Sequence, residues 1–179
     1  MSEFAGTIRP ATADDAAACA AIYAPYVRDT TITFETEVPS VPELAERIAT
    51  FGTSHAWLVL ERDREIVGYA YAYGFSPRAA YDWACETSIY VAADIRGGGV
   101  GRALYEVLLP RLAARGYRRA IARITLPNPA SIAFHERFGF TESGILRRVG
   151  WKHDAWHDVA YLQRDLRDPD APPTPIRPS

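Results

Sequence analysis

The chain has 179 residues, which suits one domain and allows a sizeable core to be buried. Hydrophobic residues make up 48% and charged residues 23%, which argues against a disordered or fibrous chain, and a formal net charge of -2 offers polyphosphate no long-range attraction. Nucleic acid and anionic membrane are therefore not expected as main partners, no apolar run approaches the roughly 18 residues needed to span a bilayer, and no basic-then-apolar leader opens the chain. Cys19 and Cys85 form neither a C-x-x-C pair nor a metal-like cluster, a usage that fits a reducing cytoplasm without disulfides.

In chain order, Thr7 to Arg9 reads as a short strand, and Thr12-Ala13-Asp14-Asp15 supplies capping oxygens for an Ala-rich helix to about Val27. Asp29 to Val38 has no helical period and reads as a loop. Pro42, followed by Glu43, Leu44, Ile48 and Phe51, marks a second helix ending near Gly52. Trp57 to Leu60 and Ile66 to Tyr73 are strands joined by a charged turn. Period two puts Tyr69, Tyr71 and Tyr73 on one face of the second strand, and the bland reading is a core stripe whose opposite alanines admit a close helix. After a loop from Phe75 to Trp83, Cys85 to Val91 is a further strand.

A helix follows over Gly99 to Arg115, with an apolar stripe of Val100, Ala103, Leu104, Val107, Leu108 and Leu112. Pro110 should kink it or end it early. Arg119 to Leu126 is a strand, Pro129 opens a short helix to Phe138, and strands follow around Gly144 to Gly150 and Asp158 to Gln163. Residues 1–167 read as a single domain without repeats, and the proline-rich stretch 168–179 reads as a flexible tail.

The strongest local signal is the strand Ile89-Tyr90-Val91, then Ala92 to Ile95, then Arg96-Gly97-Gly98-Gly99-Val100-Gly101-Arg102, opening into the helix. Glycines let the backbone approach a ligand, and a helix start offers unpaired N–H groups and partial positive charge, a combination that binds pyrophosphate. Spacing separates the possible motifs. A Walker A loop needs Gly-Lys-Ser/Thr where Gly101-Arg102-Ala103 stands, and the dinucleotide fingerprint fails because Leu104 occupies its third glycine position.

What remains is R-x-x-G-x-G, Arg96 to Gly101, which resembles the acyl-CoA loop of the GNAT acetyltransferases. Asn128 lies 27 residues beyond Gly101 and begins Asn128-Pro129-Ala130-Ser131-Ile132-Ala133-Phe134-His135-Glu136-Arg137-Phe138-Gly139-Phe140, which resembles the second signature of that family. Thr33 to Glu37, Ala80 to Trp83, Glu86 to Val91 and Gly150 to Val159 are similar to the phosphinothricin and methionine sulfoximine N-acetyltransferase group. The resemblance covers the chain from its first strand to Gln163. It implies an α/β (α+β) fold, with one mixed, mostly antiparallel central sheet flanked by helices and a splayed cleft for acetyl-CoA. It further implies acetyl-CoA as donor, a small amino acid or analogue as acceptor, no metal, and a homodimer.

Amide formation needs a neutral amine, so a base must take a proton from the acceptor's ammonium. Glu86 is the candidate, sharing a strand face with Ser88 and Tyr90, away from Cys85 and Thr87. The resemblance assigns the same role to this carboxylate; the alternative is an ordinary edge-strand glutamate pairing with a nearby arginine. By resemblance, the main chain of Ile89, Tyr90 and Val91 meets the pantetheine arm. Arg96 and the amides of Gly97, Gly98, Gly99, Val100, Gly101 and Arg102 hold the pyrophosphate, and Asn128 and Ser131 lie near the thioester. His135 replaces the tyrosine of the commonest GNAT pattern; proton donation to sulfur, substrate orientation and packing are all open to it. Phe34, Glu35, Arg78, Tyr81 and Tyr105 are the implied acceptor walls, Arg78 because a guanidinium can grip a carboxylate or phosphinate.

His153 and His157 are four apart, but no H-E-x-x-H forms and the residues after them read as strand, so no metal site is expected. Cys85 lacks a neighbouring base, so direct transfer in a ternary complex is expected rather than an acetyl-enzyme. A protein or peptide N-acetyltransferase and a non-catalytic acyl-CoA-binding module are the alternatives. The first needs an open groove, and for the second Glu86 would be dispensable.

Overall fold

The computed structural model describes residues 6–95 and 98–177. Seven strands form one sheet: β1 (Thr7–Pro10), β2 (Ala56–Arg62), β3 (Glu65–Gly74), β4 (Ala84–Val91), β5 (Arg119–Thr125), β6 (Thr141–Lys152) and β7 (Ala155–Asp165). Their order across the sheet is β1-β2-β3-β4-β5-β7-β6, antiparallel throughout except for the parallel pair β4 and β5. The mixed, mostly antiparallel sheet expected from the sequence is present.

Helices α1 (Ala16–Asp29) and α2 (Val41–Ser54) cover one face, burying Cys19, Ile22, Leu44 and Ile48 against Trp57, Val59, Tyr69 and Tyr90. Each begins where its sequence supplies a cap. Thr12 and Asp15 form a capping box at the 3-10 turn before α1, and Ser40 and Glu43 form another at α2. Helix α3 (Val100–Arg115) packs on the other face through Leu104, Leu108 and Leu112 against Leu58, Leu60, Ala70 and Ala72. The small residues of β3 are what let it approach: a Cβ on Gly68 would stand 2.7 Å from Val100 Cγ1. Helix α4 (Pro129–Arg137) lies beside α3 on this face, starting at Asn128, whose side chain accepts from the Ser131 amide at 3.1 Å.

The expected span of α3 is present, and two details are corrected: an early end at Pro110 and a core position for Val107. The helix runs through Pro110 to Arg115 and ends on Gly116, at φ 114°. Pro110 and Glu106 are both exposed, so water can serve the carbonyl that loses its donor, while burial of Leu108, Leu109 and Leu112 holds the turn together. Val107 is exposed, and Tyr105 and Leu109 take the core positions instead. The segment after β7, read from sequence as a flexible tail, makes specific contacts. Trp83 Nε1 donates to the Thr174 carbonyl at 2.7 Å, Arg115 Nε donates to that of Arg177 at 3.0 Å, and Ile176 packs on the core.

Candidate active site

Strands β4 and β5 pair only at Ala84–Arg119, Cys85–Ala120 and Glu86–Ile121, although β4 continues to Val91 and β5 to Thr125. Beyond Glu86 the sheet opens into a fork. The β4 pleat turns Glu86, Ser88 and Tyr90 toward the α1–α2 face, where they line a cavity of about 410 Å³. That volume is of small-molecule size.

Glu86 is 5% exposed, at the base of the fork. The Tyr73 hydroxyl donates to its Oε1, and Arg123 Nε donates to the same oxygen at 2.5 Å. A second Arg123 nitrogen, Nη2, donates to the Tyr73 hydroxyl at 3.1 Å. Oε2 has no hydrogen-bond partner among the described residues. Burial, together with the adjacent carboxylate, pushes the Tyr73 phenol up, so it remains a donor at neutral pH. Burial would lower the Arg123 pKa, but the Glu86 charge outweighs it and holds the guanidinium protonated. Sequence reasoning missed both partners. Tyr73 was read as part of a core stripe, whereas only Tyr69 is fully buried and Tyr71 and Tyr73 line the cavity. The signal for Arg123 was a cation between apolar residues in Ala120-Ile121-Ala122-Arg123-Ile124.

The loop after α1 closes the cavity with Phe34 and Glu35, two of the expected wall residues. It is pinned from three sides. Tyr23 and Thr33 hydroxyls lie 2.6 Å apart, Arg47 donates to Glu35 at 2.7 Å, and buried Lys152 donates to the Thr33 carbonyl at 2.8 Å. Arg78 and Tyr81, expected as further walls, lie on the exposed connection between β3 and β4 and do not line this cavity.

Across the sheet, the first turn of α3 and the face of α4 enclose a cleft of about 700 Å³. Gly98, Gly99, Val100, Gly101 and Arg102 line it, with Val91, Ile95 and Phe134. Gly99 has φ 71° and no side chain caps the helix, so the first-turn amides are unclaimed by a cap. A Cβ on Gly101 would come within 3.3 Å of Ile89 and 3.4 Å of Phe134, so the helix start packs closely against strand and α4 there. Among the described residues the lining holds Arg102 and Arg137 but no acidic side chain. Such a surface fits a diphosphate. Arg96 and Gly97 lie outside the described residues.

Of the β4 residues expected along the cofactor arm, Ile89 packs on the α3 core and the Tyr90 ring is buried between Tyr23 and Tyr26. The Val91 carbonyl accepts from the Tyr26 hydroxyl at 2.7 Å. His135 and Tyr105 are placed away from the cavity. His135 is 5% exposed, with Nδ1 2.8 Å from the Ser131 carbonyl and Nε2 3.1 Å from the Tyr105 hydroxyl, which in turn donates to Thr87. Burial lowers the His135 pKa. Tyr105 is therefore not an acceptor wall: it is wholly buried on the opposite face from Glu86. Cys85 is also buried there, and burial pushes its thiol up, so no thiolate nucleophile is offered at the fork. His153 sits in the β6–β7 turn with its ring on the Thr30 carbonyl, and His157 rests on that of Lys152.

An acetyltransferase (GNAT) domain model matches residues 8–160. The phosphinothricin N-acetyltransferase of Streptomyces viridochromogenes is 41% identical over 171 residues, covering 96% of this chain and 93% of that protein. The L-methionine sulfoximine/L-methionine sulfone acetyltransferase of Pseudomonas aeruginosa is 36% identical, covering 89% of this chain and 94% of its own length. Among solved structures, a GNAT superfamily phosphinothricin acetyltransferase from Sinorhizobium meliloti, in complex with AcCoA, superposes with a TM-score of 0.89 at 38% identity, covering 94% of this chain and 93% of that one. With the forked sheet and the glycine-lined helix start, these likenesses establish that the chain belongs to the GNAT acetyltransferases and draws on acetyl-CoA.

Proposed function

We propose that this enzyme acetylates the amino group of a small amino acid or analogue, of the phosphinothricin or methionine sulfoximine kind, by direct attack within a ternary complex. The observation that carries the reading is the fork. A small-molecule cavity holding Glu86 lies on one sheet face and a diphosphate-compatible cleft on the other, an arrangement that lets acceptor and donor approach the fork from opposite sides. The amides from Gly98 to Arg102 hold the diphosphate, joined by Arg96 and Gly97, and Asn128 and Ser131 flank the thioester end. Acetyl-CoA supplies an activated acetyl group when bound. Glu86 orients the acceptor's ammonium and takes its proton through Oε2, and Tyr73 keeps Oε1 occupied. Enclosure by Phe34 and Glu35 favours a small acceptor over a peptide.

The same reading includes a homodimer in the cytosol. Its support is an exposed apolar surface on the outer hairpin, where Trp151 and Trp156 are 55% and 57% exposed and stack edge to face at 5.3 Å, beside exposed Val149 and Leu146. Cys19 and Cys85 are free and buried, as a reducing compartment allows. No described helix is long and apolar enough to cross a membrane.

Incubation with acetyl-CoA and a panel of free amino acids, phosphinothricin, methionine sulfoximine and a short peptide, following thiol release, tests the assignment. Release with the small acceptors and not with the peptide is expected. Release with the peptide alone, or no heat of acetyl-CoA binding by calorimetry, overturns it.

A further inference from the structure

Arg123 is the one cation among the described residues lining the acceptor cavity. The cavity's two carboxylates are Glu35, which Arg47 neutralises from outside the cavity, and Glu86, which Arg123 neutralises from within. Arg123 stands on β5 just after that strand has left β4, with its side chain 47% exposed while that of Glu86 is 6% exposed. Its Nε and Nη2 are engaged at Glu86 and Tyr73, and Nη1 has no partner among the described residues. The guanidinium thus occupies the approach to the carboxylate that the acceptor's ammonium must reach, and it sits on a long side chain with room to turn.

An amino acid arrives as a zwitterion, carrying one charge of each sign about one carbon apart. We propose that Arg123 is the receptor for the acceptor's α-carboxylate and the gate on Glu86. The incoming zwitterion exchanges partners with the Glu86–Arg123 pair, its carboxylate taking the guanidinium in a two-pronged contact and its ammonium taking the freed carboxylate. No charge is stranded in the exchange. An amine without the carboxylate has to part the ion pair and leave a guanidinium uncompensated, which is unfavourable in a half-closed site. The gate therefore selects amino acids over simple amines and exposes the base only when the correct acceptor is seated. The inference rests on the reading of the cavity as the acceptor site. The chemistry balances without further reactants. Glu86 takes one ammonium proton, the amine nitrogen bonds to the acetyl carbon as the carbon–sulfur bond breaks, the second nitrogen proton neutralises the thiolate, and Glu86 returns its proton to solvent.

The test compares L-methionine sulfoximine with its α-carboxamide as acceptors for the wild-type enzyme, R123Q, R123K and R78A, measuring kcat/KM and, by calorimetry, acetyl-CoA affinity. The wild type is expected to prefer the carboxylate by about 100-fold, and R123Q to lose about 100-fold on the carboxylate alone, so that the preference disappears. R123K, which retains the charge but not the fork of donors, should fall between them. Acetyl-CoA affinity should stay within about twofold, because the donor cleft is on the other sheet face and single surface changes seldom propagate. If R123Q fails to bind acetyl-CoA, R123K against the wild type decides. A preference unchanged in R123Q, or lost in R78A and kept in R123Q, overturns the role of Arg123 while the acceptor site stands. A wild type that acetylates neither compound overturns the reading of the site and the gate with it.

Discussion

Glu86 combines burial with two donors on one oxygen and, among the described residues, no partner on the other, so its chemistry can be tested apart from its packing. Glu86→Gln keeps the size and removes the proton acceptor. Turnover should fall about 10²–10⁴-fold, the usual share of a general base, with acetyl-CoA affinity intact; near-normal turnover at neutral pH would remove Glu86 from the role. Two histidines contribute to the loss of stability in acid. Burial, helped by the Arg115 charge, lowers the His55 pKa from 6.5 to about 4, and burial lowers that of His135. Below pH 6.5 the unfolded chain binds protons that the native rings refuse, so stability declines as pH falls, and the His55 contribution levels off near pH 4. Asp15, held below its ordinary 3.8 by the Arg9 hydrogen bonds, adds a separate loss at lower pH. His55→Asn should flatten part of the decline in melting temperature between pH 6.5 and 4; an unchanged slope would refute the assignment.

The loop from Thr30 to Ser40 and the β6–β7 hairpin work as one piece. Phe34 lies over Gly150, and a Cβ there would be 2.1 Å from the Phe34 ring. Because Phe34 is 37% exposed, its ring can swing aside at small cost to stability. Gly150→Ala should change stability by less than about 1 kcal/mol while raising the acceptor KM several-fold and leaving that for acetyl-CoA unchanged. A parallel rise in both constants would show that the loop does not act on the acceptor cavity alone. The hairpin turn itself, His153-Asp154, has φ of 51° and 55°, as a tight two-residue turn requires. Most elements were legible because caps and periodicity are local. The span of the helix carrying Pro110 was legible too, but whether it would stop at that proline was not, since its continuation depends on which of its faces meets water.

Arg115 ties the molecule together. From the end of α3 its guanidinium donates to the carbonyls of Thr53, Ser54 and His55 at the end of α2, and to that of Arg177. Those α2 carbonyls have no further turn to serve them, so Arg115 acts as a cap supplied from another helix. Arg115→Ala should destabilise by about 2–4 kcal/mol and lower the melting temperature by roughly 5–10 °C, with little change in kcat at 25 °C. A stability change within 0.5 kcal/mol (about the noise of a surface substitution) would count against it.

Sequence by itself determined the family, the glycine-lined helix start and the strand face that Glu86 shares with Ser88 and Tyr90, because spacing along one strand or one turn encodes each of them. Only the folded chain decided who Glu86's neighbours are. Tyr73 and Arg123 lie 13 and 37 residues away and reach it across two strand pairings, one ending where β4 and β5 part. It likewise moved Tyr105 from the acceptor to the core and left Arg78 outside the cavity. A pleat is periodic and can be read locally, whereas registers between strands are set by the packing of the whole sheet.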